Sequence, residues 1–363
     1  MVVKNILIRV ISFIILFSFL INHSYANNQV YVVRDIEIED FIKDLIKPIF
    51  KSAGVDSRSI SIYVINDPTP NAFVYAGQNI FIHTGLLSLV DYPDEIAGVL
   101  AHELGHITAG HLSRGDIARK DAGILVVLGM AALLLATPFL ANGGKGGDLA
   151  SVVGFLGLGS QGLAVNSYLS YSRAEEAQAD EIAVEYLKGT DYSIKGLYDF
   201  MEKLHSKEDK NKYNVPVYSW YATHPLTLDR MKFLQRQMNS YPKQENSQTS
   251  LYNRLQLIKG KIDGYTLSYK DLMSIYKSNT EKGDYAKAIA LYKNQDFNGA
   301  IKYLESLTQK YPHNVYFADV LGDIYFDNTN FQKSIKEYNK VSKKIINDIT
   351  FLKIAKAYFA EDD

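Results

Sequence analysis

The sequence predicts an α+β, mainly helical fold. A domain with a small β-sheet and one helix carrying His-Glu-x-x-His is followed by a C-terminal α-solenoid. Three observations lead there. Short alternating β-branched runs at residues 59–83 interrupt segments of helical periodicity. Residues 101–111 read AHELGHITAGH. Beyond residue 284 a period near 34 residues appears.

Composition sets the bounds. The 363 residues exceed one typical domain, and 47% hydrophobic content supports a packed core. A formal charge of −1 argues against a nucleic-acid partner. There is no cysteine, which removes disulfides, thiolate nucleophiles and Cys-based metal sites. His, Asp and Glu remain as the strong metal ligands.

Residues 1–26 read as a secretory signal peptide. Lys4 and Arg9 precede the apolar run Val10–Ile21, and Ser24-Tyr25-Ala26 places cleavage near Ala26. Ile36, Ile38, Phe41, Ile42, Leu45 and Ile46 predict an amphipathic helix over 35–53. Ser59–Ile65 alternates as a strand, and Asp67-Pro68-Thr69-Pro70-Asn71 is a turn. Ala72–Tyr75 and Asn79–His83 flank Gly77 as a hairpin or bulged pair. An edge strand there could pair with an extended substrate, or the hairpin is purely structural. Tyr92-Pro93-Asp94-Glu95 opens the motif helix, with Pro in its first turn and two acids at the positive end of the helix dipole.

On that helix His102 and His106 share one face, a turn apart, and can take adjacent corners of a tetrahedral zinc site. Glu103 is placed to act on a water without ligating the metal. His111 falls one residue too early for a third His of the HExxHxxGxxH kind. On a continuous helix it points about 180° from His102, so it reads as a packing or supporting histidine. Ala122–Gly144 and Leu149–Ser172 carry no charge and predict an apolar helical hairpin over 122–172, buried or lying against a membrane. Ser172-Arg173-Ala174-Glu175 is a capping box that starts a helix ending near Lys188-Gly189. Glu176 and Asp180 lie four apart on it. Glu176 can be the carboxylate ligand, and Asp180 can fix a histidine's tautomer through its second ring nitrogen.

HELGH, an apolar insertion and then SRAEEAQAD together resemble the minigluzincin family of zinc endopeptidases, which includes CAAX-prenyl proteases. NAFVYAGQNIFIHTGLL is similar to that family's NAF…PGG…GLL segment, with Tyr75-Ala76-Gly77 where Pro-Gly-Gly is usual. The resemblance covers roughly residues 35–240. It implies a zinc-peptidase domain over 27–240 and one Zn2+ per chain held by His102, His106 and Glu176. Glu103 would be the base and Asp180 the orienting carboxylate. Ala222-Thr223-His224-Pro225 with Arg230 resembles a later histidine-proline element. His224 would hydrogen-bond the developing oxyanion, close the site as a fourth ligand, or be a loop histidine.

Residues 241–283 read as a linker with helical patches. Over 284–363, Ala288, Leu291, Ala300, Leu304 and Pro312 recur in character as Gly322, Tyr325, Ser334, Tyr338 and Ile346. This resembles tetratricopeptide (TPR) repeats, helix pairs that bury their faces by stacking and leave a concave surface for peptides. The combination of peptidase and repeats resembles that of exported, periplasmic endopeptidases, and this resemblance implies action on misfolded or stalled outer-membrane proteins. Its partners would be unfolded or misassembled substrates, the outer-membrane assembly machinery through the repeats, and a peripheral membrane contact. The alternatives are a repeat-based chaperone that keeps the peptidase fold as scaffold, and an integral membrane protease. A scaffold has no use for Glu103.

Overall fold

The computed structural model describes residues 32–75, 78–111, 171–208, 220, 224–242 and 249–362. The signal segment, Ala76-Gly77 of the hairpin turn and the apolar hairpin up to residue 170 lie outside the described residues.

A four-stranded sheet forms the first layer. Its strands are β1 (Val32–Val33), β2 (Ser61–Ile65), β3 (Ala72–Tyr75) and β4 (Asn79–His83), in the order β1-β2-β4-β3. β2 and β4 run parallel, with Ser61 opposite Asn79 and Ile65 opposite His83. β3 and β4 run antiparallel, with Ala72 opposite Ile82. Alternation gives the sheet two faces. Val64, Val74, Ile80 and Ile82 enter the core. On the other face Phe81 stacks between Tyr63 and Phe73, with ring centroids 5.3 Å apart on each side. β3 is left at an edge, packed against the motif helix.

Helices cover the inner face. α1 (Ile36–Ala53) starts at Asp35, whose side chain accepts from the Glu37 and Ile38 amides, and stops at Gly54 with φ 64°. The short α2 (Thr84–Leu89) follows β4 directly. The motif helix α3 (Pro93–Thr108) is buried from Pro93 to His106. Glu95 secures its start by accepting from the Tyr92 amide at 3.0 Å. α4 (Arg173–Lys188) has the expected capping box at Ser172 and Glu175 and closes at Gly189. α1, α4 and α5 (Lys195–Glu208) pack around α3, and α6 (Leu228–Ser240) closes over α4 and α5. α4 comes this close because of the glycine inside HELGH. A Cβ on Gly105 would lie 2.9 Å from the Ala179 carbonyl oxygen, which only glycine avoids.

From Thr249 the stretch read as a linker is two helices, α7 (Thr249–Thr266) and α8 (Tyr269–Ile275). Leu251, Leu255, Ile258 and Ile262 of α7 belong to the same core as α1 and α3. Lys259 and Lys261 flank that stripe and Gly260 and Gly264 lower the helix propensity around it, which weakens the helical signal in the sequence. Then come α9 (Glu281–Lys293), α10 (Phe297–Lys310), α11 (Tyr316–Asp327), α12 (Phe331–Ser342) and α13 (Asp348–Asp362), each packed on the one before. The backbone repeats with the sequence. Gln295 (φ 62°), the Asp296 N-cap and Phe297 recur 34 residues later as Thr329 (φ 56°), the Asn330 N-cap and Phe331. Among the described residues, no helix is long and apolar enough to cross a membrane.

Candidate metal centre

α3, α4 and the segment leading into α6 bring the candidate side chains to one buried point. His102 Nε2 and His106 Nε2 lie 3.1 Å apart. Glu176 Oε2 is 3.5 Å from the first and Oε1 is 3.3 Å from the second. His224 joins them, and one donor atom from each of the four residues lies within 4.8 Å of every other. All four residues are fully buried. On an ideal tetrahedron with bonds of ~2.0–2.1 Å, donors sit about 3.3 Å apart. The three measured separations bracket that value.

The nitrogen chemistry fits the same ion. Asp180 Oδ1 lies 2.9 Å from His102 Nδ1, so one ring proton belongs on Nδ1 and Nε2 is the nitrogen turned inward, the one that would lose its proton to bind a metal. Both Glu103 oxygens and Glu176 Oε1 are buried with no hydrogen-bond partner among the described residues. Like partial charges converging without a donor are costly unless a cation answers them. The residues therefore suit a divalent metal, and two imidazoles with one carboxylate and no thiolate are a donor set zinc accepts.

Protonation follows from burial and neighbours. Burial pushes the Glu103 carboxyl up, but His224 at 3.3 Å and the motif imidazoles outweigh it and hold the group below its usual value. Glu103 is thus an anion able to take a proton. Burial also raises Asp180 and Glu176, and Arg230 with the histidines overcomes it in both. Burial drives His106 down to about 4, while His102, despite burial, is held up at about 9 by Asp180 and Glu176.

Arg230 is the residue whose importance the sequence concealed. From the first turns of α6 its Nε donates to Asp180 Oδ2 at 2.6 Å, its Nη2 to Asp180 Oδ1 at 2.9 Å, and its Nη1 to Glu176 Oε2. Nη1 also donates to the Pro225 carbonyl at 3.0 Å, tying the His224-Pro225 segment to the same guanidinium. Its only sequence signal was its place just after the histidine-proline pair. Two aromatic rings flank the donors. Tyr171 stacks on His106 at 3.7 Å between centroids, and Trp220 stacks on His224 at 4.2 Å.

His111 departs from the expected geometry. α3 ends at Thr108, and Gly110 takes φ 69°, so the chain turns back instead of continuing the helix. His111 Nδ1 then meets His106 Nδ1 at 2.8 Å, and its Nε2 reaches Gln178 Oε1 at 3.0 Å. It stands behind the donor set, not within it.

A buried HExxH pair joined by a glutamate from a second helix defines a metallopeptidase-type centre. The chain belongs to peptidase family M48, whose pattern matches residues 34–238. Over 338 residues it is 25% identical to the beta-barrel assembly-enhancing protease of Yersinia pestis, covering 90% of this chain and 66% of that protein. The protein of the same name from Escherichia coli (strain K12) is 24% identical with the same coverage. The mitochondrial metalloendopeptidase OMA1 of Schizosaccharomyces pombe is 26% identical over 192 residues, 53% of this chain and 50% of that one. The chain thus spans just under two thirds of the length of the first two relatives.

Proposed function

We propose that this protein is a periplasmic zinc-dependent metalloendopeptidase that cleaves misfolded or stalled outer-membrane proteins. The observation that carries the peptidase reading is the convergence of His102, His106 and Glu176 at 3.1–3.5 Å, with the Glu103 carboxylate beside them. His102, His106 and Glu176 hold the metal, and Asp180 orients His102. Zinc, when bound, supplies a Lewis acid that polarises the scissile carbonyl and lowers the pKa of water to ~7. Glu103 takes a proton from the attacking water as its oxygen bonds to the carbonyl carbon. It returns that proton to the amine nitrogen as the C–N bond breaks.

His224, whose donor atom lies within 4.8 Å of the other three, would occupy the fourth position that a catalytic site keeps open. Turnover then requires His224 to withdraw, after which its ring can donate to the oxyanion. The β3 edge beside α3 offers main-chain pairing to an extended substrate. The exported location and the outer-membrane substrates rest on the signal-like residues 1–26 and on the names of the bacterial relatives. The 34-residue backbone repeat supports a tetratricopeptide-like array over 284–363 that recruits clients or assembly machinery.

The test is digestion of casein and of an unfolded outer-membrane barrel by the purified zinc-loaded chain. Wild type should cleave both, while Glu103→Gln should bind zinc and cleave neither. Cleavage by Glu103→Gln at the wild-type rate would sink the assignment of the base. His224→Ala should keep its zinc and change turnover.

A further inference from the structure

We propose that Gln178, acting through His111, is a positioning pair that fixes which ring nitrogen of His106 carries the proton and so keeps Nε2 bare for the metal. The proposal rests on the metal reading above and concerns a connection that reading does not use.

The two motif histidines need the same thing and obtain it differently. Each must present an Nε2 lone pair, and a neutral imidazole does so only when its proton is held at Nδ1. For His102 the acceptor at Nδ1 is a carboxylate, Asp180 at 2.9 Å. For His106 it is another imidazole, His111 Nδ1 at 2.8 Å. An imidazole is an ambiguous partner, because either nitrogen can carry its proton. The ambiguity is removed one step further out. Gln178 Oε1, 3.0 Å from His111 Nε2, can only accept, so the proton of His111 sits on Nε2. His111 Nδ1 is then bare and accepts from His106 Nδ1–H. His106 Nε2 keeps its lone pair toward Glu176 and His102.

The chain places these groups with little freedom. His111 is 2% exposed and held by the left-handed turn at Gly110. Gln178 lies on α4 between Glu176 and Asp180, so one short stretch supplies the carboxylate and the groups that polarise both histidines. Gln178 is itself exposed, and a substitution there need not disturb the core.

This predicts a sign and not merely a loss. Gln178→Glu keeps an acceptor and should preserve the polarity. Gln178→Lys offers only donors, which would move the His111 proton to Nδ1 and the His106 proton to Nε2. In metal-free protein labelled with 15N-histidine, ring-nitrogen NMR should show His106 protonated at Nδ1 and His111 at Nε2. Gln178→Glu should match wild type, and Gln178→Lys should reverse both. Zinc competition against a chelator, in 1 M salt to screen simple charge effects, should show Gln178→Glu near wild type. Gln178→Lys and His111→Phe should be weaker by about 10–100-fold, with circular dichroism unchanged.

A His106 proton at Nε2 in wild type would overturn the proposal. So would equal zinc affinity in Gln178→Lys and Gln178→Glu. If wild type bound no zinc while the ring protons stood as predicted, the metal reading would fail and the positioning pair would stand.

Discussion

Two clusters of buried charge lie in this molecule, and they are built for different ends. In the first, between α1, α7 and α9, Lys261 Nζ sits 2.5 Å from Asp35 Oδ2 and 3.2 Å from Glu37 Oε2. The Tyr285 hydroxyl donates to Glu37 Oε2 at 2.9 Å. Asp35 also caps α1, so a cation from the C-terminal helices is held against the start of the peptidase core. The second cluster is the candidate metal centre. There Arg230 answers the outer oxygens of Glu176 and Asp180, while two imidazole nitrogens, Glu176 Oε1 and Glu103 converge on one another. Burial of charge alone therefore does not mark a functional site. What marks it is a set of donor atoms converging on one point, where both Glu103 oxygens and Glu176 Oε1 meet no hydrogen-bond donor among the described residues.

The difference can be broken by substitution. Glu103→Gln should have the largest effect, lowering turnover by about 10²–10⁴-fold. Chemical denaturation of the metal-free protein should show only a small loss of stability, because the burial cost of the carboxylate offsets most of what His224 at 3.3 Å contributes. A marked destabilisation would place Glu103 in a structural role instead. Lys261→Met should do the opposite, costing about 3–5 kcal/mol in urea titration by stranding Asp35 and Glu37. The folded fraction should still bind one zinc. Adding Glu37→Gln to Lys261→Met should recover part of the loss, and failure to recover would mean that Lys261 acts through packing. Arg230→Met touches both kinds of role. It should lower stability and weaken zinc retention by about 10–100-fold, since it frees Glu176 and Asp180 from the group that aims them.

The smallest effect is expected at a half-exposed carboxylate outside both clusters. Burial raises Asp67, but His83 at 3.6 Å and the Thr69 amide and hydroxyl, which donate to Oδ1, prevail and bring it from 3.8 to about 2. A depressed carboxylate stabilises the folded state above its unfolded value, and that contribution fades as pH falls through the folded value. The advantage of wild type over Asp67→Asn should be full above pH 3.8 and shrink as the pH approaches 2. An advantage independent of pH would assign the effect to shape and not charge. Thermal unfolding across that range reads the difference.

What the sequence revealed of the site was whatever depends on local spacing. His102 and His106 sit four apart on one helix, and so do Glu176 and Asp180, so each pair's common face follows from helical periodicity alone. Asp180 facing His102 needed only that the two helices meet. Arg230 was not legible as a partner, because its carboxylates lie 50 and 54 residues earlier and no pattern connects them. His111 reads from its position as a supporting histidine and is one, but its contact with His106 is not legible, because Gly110 turns the chain back where the spacing implies a continuing helix. α7 reads as no more than a helical patch in a linker because Lys261, a core residue at 3% exposed, and two glycines weaken the helical signal around its apolar stripe. A lysine in the core reads as polar until its acidic partners on α1 are seen.

Metal analysis of the purified chain tests the central claim most directly, with Glu176→Ala and Lys261→Met measured alongside. The account predicts one zinc per chain in wild type and in folded Lys261→Met, and loss of tightly held zinc in Glu176→Ala. No bound metal in wild type, or zinc retained unchanged in Glu176→Ala, would contradict it.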